Sequence, residues 1–313
     1  MVPSAIASVA IVLFAALLVD RLIGDPHSAW HPVALLGRFI GWWGKPEYYS
    51  PNIQRFTGVL LWLVTVVLFA APFYCFAAVA PWYWYLVVAP FLLKCCFAGR
   101  SLEEHTLAVV DALKGGIETG REKVKMLVSR STADLDREHI LSAGYESMTE
   151  NLTDSIISPL FFFCLFGITG AAVFRAVNTM DAMLGYRDER ERIGWCAARM
   201  DDILNYIPAR ITVLLLLLHF LQRGRISPAL RIMRRDGRNR PGFNGGIVMA
   251  AMAGGVGIRF EKPGVYTIGD GERTLDEGGA DILEATRMVT LMFALIAVGT
   301  LFLLGSLINS TGI

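Results

Sequence analysis

Charged residues are excluded from some long windows of this chain and crowded into others. Val2–Val19 carries none, enough for a helix of about 27 Å at about 1.5 Å per residue, close to the thickness of a bilayer's hydrocarbon core. Met1 is followed by neither a basic stretch nor a small-residue cleavage site, so this window reads as a retained span rather than a removed signal peptide. Phe56–Leu93 is also uncharged, with Pro81 near its middle and aromatics at Trp82, Tyr83, Trp84 and Tyr85. That pattern predicts a helical hairpin of two spans with an aromatic belt at its turn. Met288–Ile313 predicts a further span. The chain thus reads as an all-α, polytopic integral membrane protein with transmembrane helices at about 2–19, 56–79, 82–98 and 288–310.

Three other apolar windows predict partial, re-entrant or interfacial helices. Ser155–Phe174 is uncharged but carries Pro159, Gly167 and Gly170, and Ile211–Gln222 is short for a span. Pro241–Ile258 is glycine-rich and suits a turn-rich loop better than a lipid-facing helix. With four spans, all 29 Lys and Arg fall in the connections 20–55 and 94–287, on one face. The positive-inside rule makes that face cytoplasmic, although a six-span arrangement stays open. The whole of 1–313 reads as one membrane-embedded domain with its polar, catalytic region at about 94–287.

Composition agrees. The 313 residues are 54% hydrophobic and only 18% charged, whereas soluble domains run near 25% charged. A formal net charge of +1 gives no basic surface for nucleic acid. The five Cys form no C-x-x-C pair and read as small buried hydrophobes.

Candidate chemistry concentrates in a few strings. Glu146, Glu150 and Asp154 are spaced i, i+4, i+8, with Asn151 among them, directly before an apolar run. Three carboxylates on one helical face repel, so Mg²⁺, an Arg from elsewhere or protons must compensate. Arg175, Asn178 and Asp181 follow at i, i+3, i+6, then a Gly185-Tyr186-Arg187 turn that predicts a helix end. Arg199 and Asp202 read equally as an i, i+3 pair or as site residues, with Asn205 next; Pro208 restarts the helix and Arg210 enters an apolar run. Asp25, His31, Arg100 and His105 lie at span ends, where interfacial anchoring is the plain reading, and Ser101 reads as an N-cap. No phosphate-binding glycine loop, dinucleotide fingerprint, H-E-x-x-H or G-x-S-x-G occurs. The residues alone point to a carboxylate- and Arg-lined site facing an anionic substrate through Mg²⁺.

Five strings in order, D-R-L-I-G-D-P…H-P-V-A-L-L-G-R, A-G-R-S-L-x-x-H, E-S-x-x-E-N-x-x-D-x-x-x-x-P-L-F, A-V-N-T-M-D-x-M-x-G-Y-R and A-R-x-D-D-x-x-N-x-I-P-A-R, run from Asp20 to Arg210, within a match that extends to about Tyr266. They resemble the CobD/CbiB family of integral-membrane adenosylcobinamide-phosphate synthases. One stretch departs: where the family shows R-D-x-x-x-H-x-S-P-N-[AS]-G, this chain reads Arg235-Asp236-Gly-Arg-Asn-Arg240-Pro241-Gly-Phe-Asn244-Gly245-Gly246.

The resemblance implies a ligase of cobalamin biosynthesis in the cell membrane. ATP would drive an amide bond between the propionate of adenosylcobyric acid, a corrinoid, and an aminoalcohol phosphate such as (R)-1-aminopropan-2-ol O-phosphate. On that reading Glu146, Glu150, Asp154 and Asp181 hold Mg²⁺ or act as base, with Glu150, Asp154 and Asp181 as the metal set. Asn151 and Asn178 orient oxygens. Arg175, Arg187, Arg199 and Arg210 bind phosphates beside Tyr186, Asp202 and Asn205, while Asp25, His31, Arg100 and His105 complete the site. Besides these substrates and the lipid bilayer, a homo-oligomer or other cobalamin-assembly membrane enzymes are open as partners. The rival readings are an organic-anion transporter, which also lines its path with intramembrane charges, and an intramembrane Mg²⁺-dependent phosphotransferase.

Overall fold

A computed structural model describes residues 5–25, 28–128 and 130–311. Residues 2–4 of the first predicted span and Pro26 lie outside them. The elements are α1 (Ala5–Leu22), α2 (Pro32–Trp43), α3 (Gln54–Val79), α4 (Trp82–Lys94), α5 (Gly99–Ala112), α6 (Ile117–Val124), α7 (Arg137–Asn151), a π-helical turn Leu152–Ile157, α8 (Ser158–Leu184), α9 (Trp195–Leu204), α10 (Tyr206–Gln222), α11 (Ile226–Asp236), α12 (Gly245–Val256) and α13 (Leu275–Thr311). The one sheet among the described residues is the antiparallel hairpin β1 (Phe260–Lys262) and β2 (Tyr266–Ile268).

Among the described residues, four helical runs are long and apolar enough to cross a membrane: Gln54–Val79, Trp82–Ala112, Arg137–Leu184 and Leu275–Leu304. The protein is a polytopic α-helical membrane protein, as the charge-free windows predict. Two expectations change. Ser155–Phe174 belongs to the 48-residue run Arg137–Leu184, a crossing candidate rather than a segment lying against the membrane. Its Pro159 lies just after the π-helical turn, and the helix is interrupted at Phe166 and Gly167, the latter at φ 63°. Ile211–Gln222 is the later part of a helix pair interrupted at Asn205 that meets the same criterion when joined.

Residues 1–98, 158–205 and 294–313 form one compact unit. Its core gathers Leu36, Ile40 and Trp43 of α2, Val66 of α3, Ala176, Val177, Met180 and Leu184 of α8, and Ile193 and Ala197. The outer faces of α3, with Leu60, Val67 and Leu68 exposed, suit lipid. Of the five Cys only Cys96 is buried, and Cys75 is exposed on α3; an exposed thiol costs little where the solvent is hydrocarbon.

Residues 99–157 and 206–293 form the second unit. The glycine-rich stretch expected as a loop is the buried helix α12, and its glycines explain why. A Cβ at Gly254 would stand 2.5 Å from the Pro228 carbonyl of α11, and one at Gly255 would overlap the Phe220 ring of α10. The glycines let three helices approach closely, the use small residues have between membrane helices.

Candidate functional site

In the second unit, α7 presents Ser142, Glu146 and Glu150 on successive turns. Glu146 is buried; it accepts from Ser142 Oγ at 2.5 Å and from Tyr266 Oη at 2.6 Å, and Arg130 Nη2 lies 3.5 Å away. Ser142 Oγ in turn accepts from the Glu261 backbone N–H at 2.7 Å, tying β1 to α7. Burial, then the Glu146 carboxylate, push the Tyr266 phenol above its ordinary pKa, so it stays a donor. Glu150 is paired with Arg240. Asp154 sits in the π-helical turn within electrostatic reach of Arg240; such widened turns recur at functional sites. The repulsion expected of the three acids is thus answered by cations from elsewhere in the chain, Arg130 and Arg240.

The loop after α11 is firmly held. Asp236 is buried, accepts from the Gly269 backbone at 2.8 Å, and is held below the usual carboxylate range chiefly by Arg235. Arg210 donates to Asn244 Oδ1 at 2.6 Å and to the Phe243 carbonyl at 3.2 Å while stacking 3.6 Å over Tyr206. Its cation is therefore engaged with this loop. Asn151 is bonded within its own helix, to the Ser147 carbonyl and Ser155 Oγ, both at 2.9 Å. Arg100 pairs with Glu104 at 2.6 Å, and His105 Nδ1 contacts the Ser101 carbonyl at 2.6 Å. Ser101 lies inside α5, so it is not the N-cap expected of it.

The first unit holds a different polar group. Asp201 is buried and accepts from Asn178 Nδ2 at 3.2 Å and Asn205 Nδ2 at 2.8 Å; Ser158 Oγ donates to Asn205 Oδ1 at 2.5 Å. Asp181 and Asp202 lie within electrostatic range of it. Asn178, Asp181 and Asn205 are brought together as predicted, around a carboxylate the sequence reading passed over for its neighbour Asp202. Arg187 and Arg199 are exposed, and Arg190, not Arg187, stacks 4.1 Å over Tyr186. Elsewhere in the unit, Lys94 Nζ lies 2.5 Å from Asp25 and 3.0 Å from Asp20. His31 caps α2, its Nδ1 accepting from the Val33 N–H at 3.3 Å. Burial, then Lys94 and Arg175 against an opposing Asp25, lower the His31 pKa below 6.5. An apolar cavity of about 660 Å³ between α3 and α8 contains none of the candidate residues.

Among the described residues no group of three or more His, Cys, Asp or Glu gathers as a metal site. Glu150 and Asp154 belong to one unit and Asp181 to the other. Mg²⁺ at a phosphate-transfer site takes only one or two protein carboxylates, with substrate phosphates and water supplying the rest. Glu150 with Asp154, or Asp181 with Asp201, offers that number.

A polytopic helical membrane protein with buried carboxylates met by half-buried Arg and Tyr groups is the class that fold and site define. The description CobD/Cbib protein matches residues 13–292. Relatives include the probable cobalamin biosynthesis protein CobD of Methanothermobacter thermautotrophicus, 40% identical over 94% of this chain and 98% of that protein. The cobalamin biosynthesis protein CobD of Pelobacter propionicus is 38% identical over 94% and 95%. That of Dehalococcoides mccartyi is 36% identical over 85% and 88%. No solved structure matches. The chain belongs to the CobD/CbiB family.

Proposed function

We propose that this protein acts in cobalamin biosynthesis as the cell-membrane ligase that joins the propionate of adenosylcobyric acid to an aminoalcohol phosphate, such as (R)-1-aminopropan-2-ol O-phosphate, with ATP. The crowding of Lys and Arg into the connections between apolar spans supports an active face toward the cytoplasm. Family membership supports the pathway. The observation that carries the chemistry is the cluster of Glu146, Glu150 and Asp154 with Arg130, Arg240 and Tyr266.

A carboxylate is a poor electrophile and needs activation before an amine can displace one of its oxygens. A propionate oxygen attacks the γ-phosphorus of ATP, forming an acyl phosphate and releasing ADP. The amine nitrogen then attacks the acyl carbon, inorganic phosphate leaves, and the nitrogen gives a proton to a carboxylate base. The guanidinium of Arg240 neutralises phosphoryl oxygens, and the Tyr266 hydroxyl donates to Glu146 in the same cluster. Glu150 and Asp154, or Asp181, would hold Mg²⁺, which would offset the charge on the transferring phosphoryl group.

The test is reconstitution of the full chain in proteoliposomes with adenosylcobyric acid, ATP, Mg²⁺ and each aminoalcohol phosphate, following amide product by mass and ADP by a coupled assay. Glu150→Gln and Asp154→Asn should each lower kcat by roughly 10²-fold or more, the usual size of an acid–base contribution. Full activity in both would sink the base and metal assignment.

A further inference from the structure

Arg130 stands apart from the other cations of this protein. It lies in the loop between α6 and α7, with its side chain 13% exposed. Its Nε, Nη1 and Nη2 atoms are all buried, and no group among the described residues accepts a hydrogen bond from any of them. Its charged neighbour is Glu146 Oε1 at 3.5 Å, too long for a hydrogen bond. That carboxylate already accepts from Ser142 on Oε1 and from Tyr266 on Oε2. Arg240, in the same cluster, spends Nη2 on Glu150.

A guanidinium carries five N–H donors in a rigid planar fork. Burying them with one ionic neighbour and no acceptor forfeits their hydration without return. The fork matches two oxygens of a phosphate or carboxylate in parallel, which an ammonium cannot do. Glu146, fixed on both oxygens by Ser142 and Tyr266, holds the guanidinium in place without satisfying it.

We propose that Arg130 anchors an oxyanion subsite that takes the phosphate of a phosphate monoester, with Glu146 as its positioning residue. The identity of the ester rests on the function proposed above; the affinity for phosphate does not.

Full-length protein in mild detergent is titrated with inorganic phosphate, O-phosphoethanolamine and ATP in separate arms, following thermal stability and tryptophan fluorescence. Inorganic phosphate and O-phosphoethanolamine should stabilise the wild type. In Arg130→Gln their dissociation constants should rise roughly 10- to 100-fold, the worth of a bidentate charge-assisted contact, and Arg130→Lys should fall between. Unchanged phosphate affinity in Arg130→Gln overturns the subsite. If Arg130→Gln fails to fold, Arg130→Lys decides alone: a wild-type affinity overturns the proposal, because an ammonium cannot reproduce the fork. A loss confined to the ATP arm overturns the monoester assignment. If no variant and no wild type forms amide while phosphate binding still depends on Arg130, the reaction is wrong and the subsite stands.

Discussion

Replacing Lys94 with Met should destabilise the unit formed by residues 1–98, 158–205 and 294–313 more than any other single charge removal there. Lys94 ends α4 with its side chain only 5% exposed, and Asp20 and Asp25 have side chains 9% and 21% exposed. At an effective dielectric of about 20, one pair near 3 Å has a gross attraction of about 5 kcal/mol. Desolvation of the three ions offsets much of it, so the better guide is the loss on breaking a buried pair, about 3–5 kcal/mol. The loss should not be shared equally. Asp25 can turn to water, whereas Asp20, on α1 and nearly sealed against α4, cannot. In a Lys94→Met background, Asp20→Asn should therefore recover more stability than Asp25→Asn. The measurement is denaturant or thermal unfolding in mild detergent, followed by circular dichroism and arranged as double-mutant cycles. A Lys94→Met cost below about 1 kcal/mol, the size of an exposed ion pair, would refute the reasoning, as would larger recovery from Asp25→Asn. The same set tests the reading of Asp25 as a substrate residue: a binding role raises KM at unchanged stability, a structural one lowers stability at unchanged KM.

Gly255→Ala should cost about 1–3 kcal/mol of thermal stability through overlap with the Phe220 ring. Gly299→Ala on α13, where a Cβ meets nothing within 4 Å, should be neutral or stabilising by up to about 1 kcal/mol; equal effects at the two sites would remove the packing explanation of α12. His31 holds its cap only as the neutral imidazole, and its folded pKa lies below 6.5. Its contribution is therefore fully present above pH 6.5 and is lost as pH falls through the folded pKa. Melting temperature should drop across that window in the wild type, and less in His31→Asn, which can cap without titrating; parallel profiles would rule His31 out.

The membrane architecture was legible because hydrocarbon excludes charge over whole spans, which a single sequence displays directly. The acids of α7 were legible for the same periodic reason: residues four apart share a helix face, and Glu146 and Glu150 do. Their partners were not. Arg240 reaches Glu150 across 90 positions and Tyr266 reaches Glu146 across 120, separations at which no local spacing rule applies. The choice of Asp202 over Asp201 shows a subtler limit. Adjacent helical residues point about 100° apart, and the Arg199–Asp202 spacing drew attention away from Asp201, whose carboxylate is the buried one. The usable signal was Asp201 with Asn205 at i, i+4, the pair that bonds. α12 was misread because glycine marks both turns and close helix packing, and sequence alone does not say whether a neighbouring helix stands against it.

The loop that departs from the family pattern sharpens the point. Counted from Arg235-Asp236, Arg240 falls where the family pattern carries His. Its neighbours depart from the pattern as well, yet Asp236 bonds the Gly269 amide, Asn239 the Thr267 carbonyl, Arg210 holds Asn244, and Arg240 closes on Glu150. A His facing Glu150 would carry charge only below about pH 6.5 unless its neighbours held it protonated. Arg is charged at every pH a cell reaches. The substitution therefore keeps a cation against the α7 acids and makes it permanent, so that Glu150 is compensated whatever the protonation state of the groups around it. A motif can thus be lost as a string of letters while the charge it supplied stays in place.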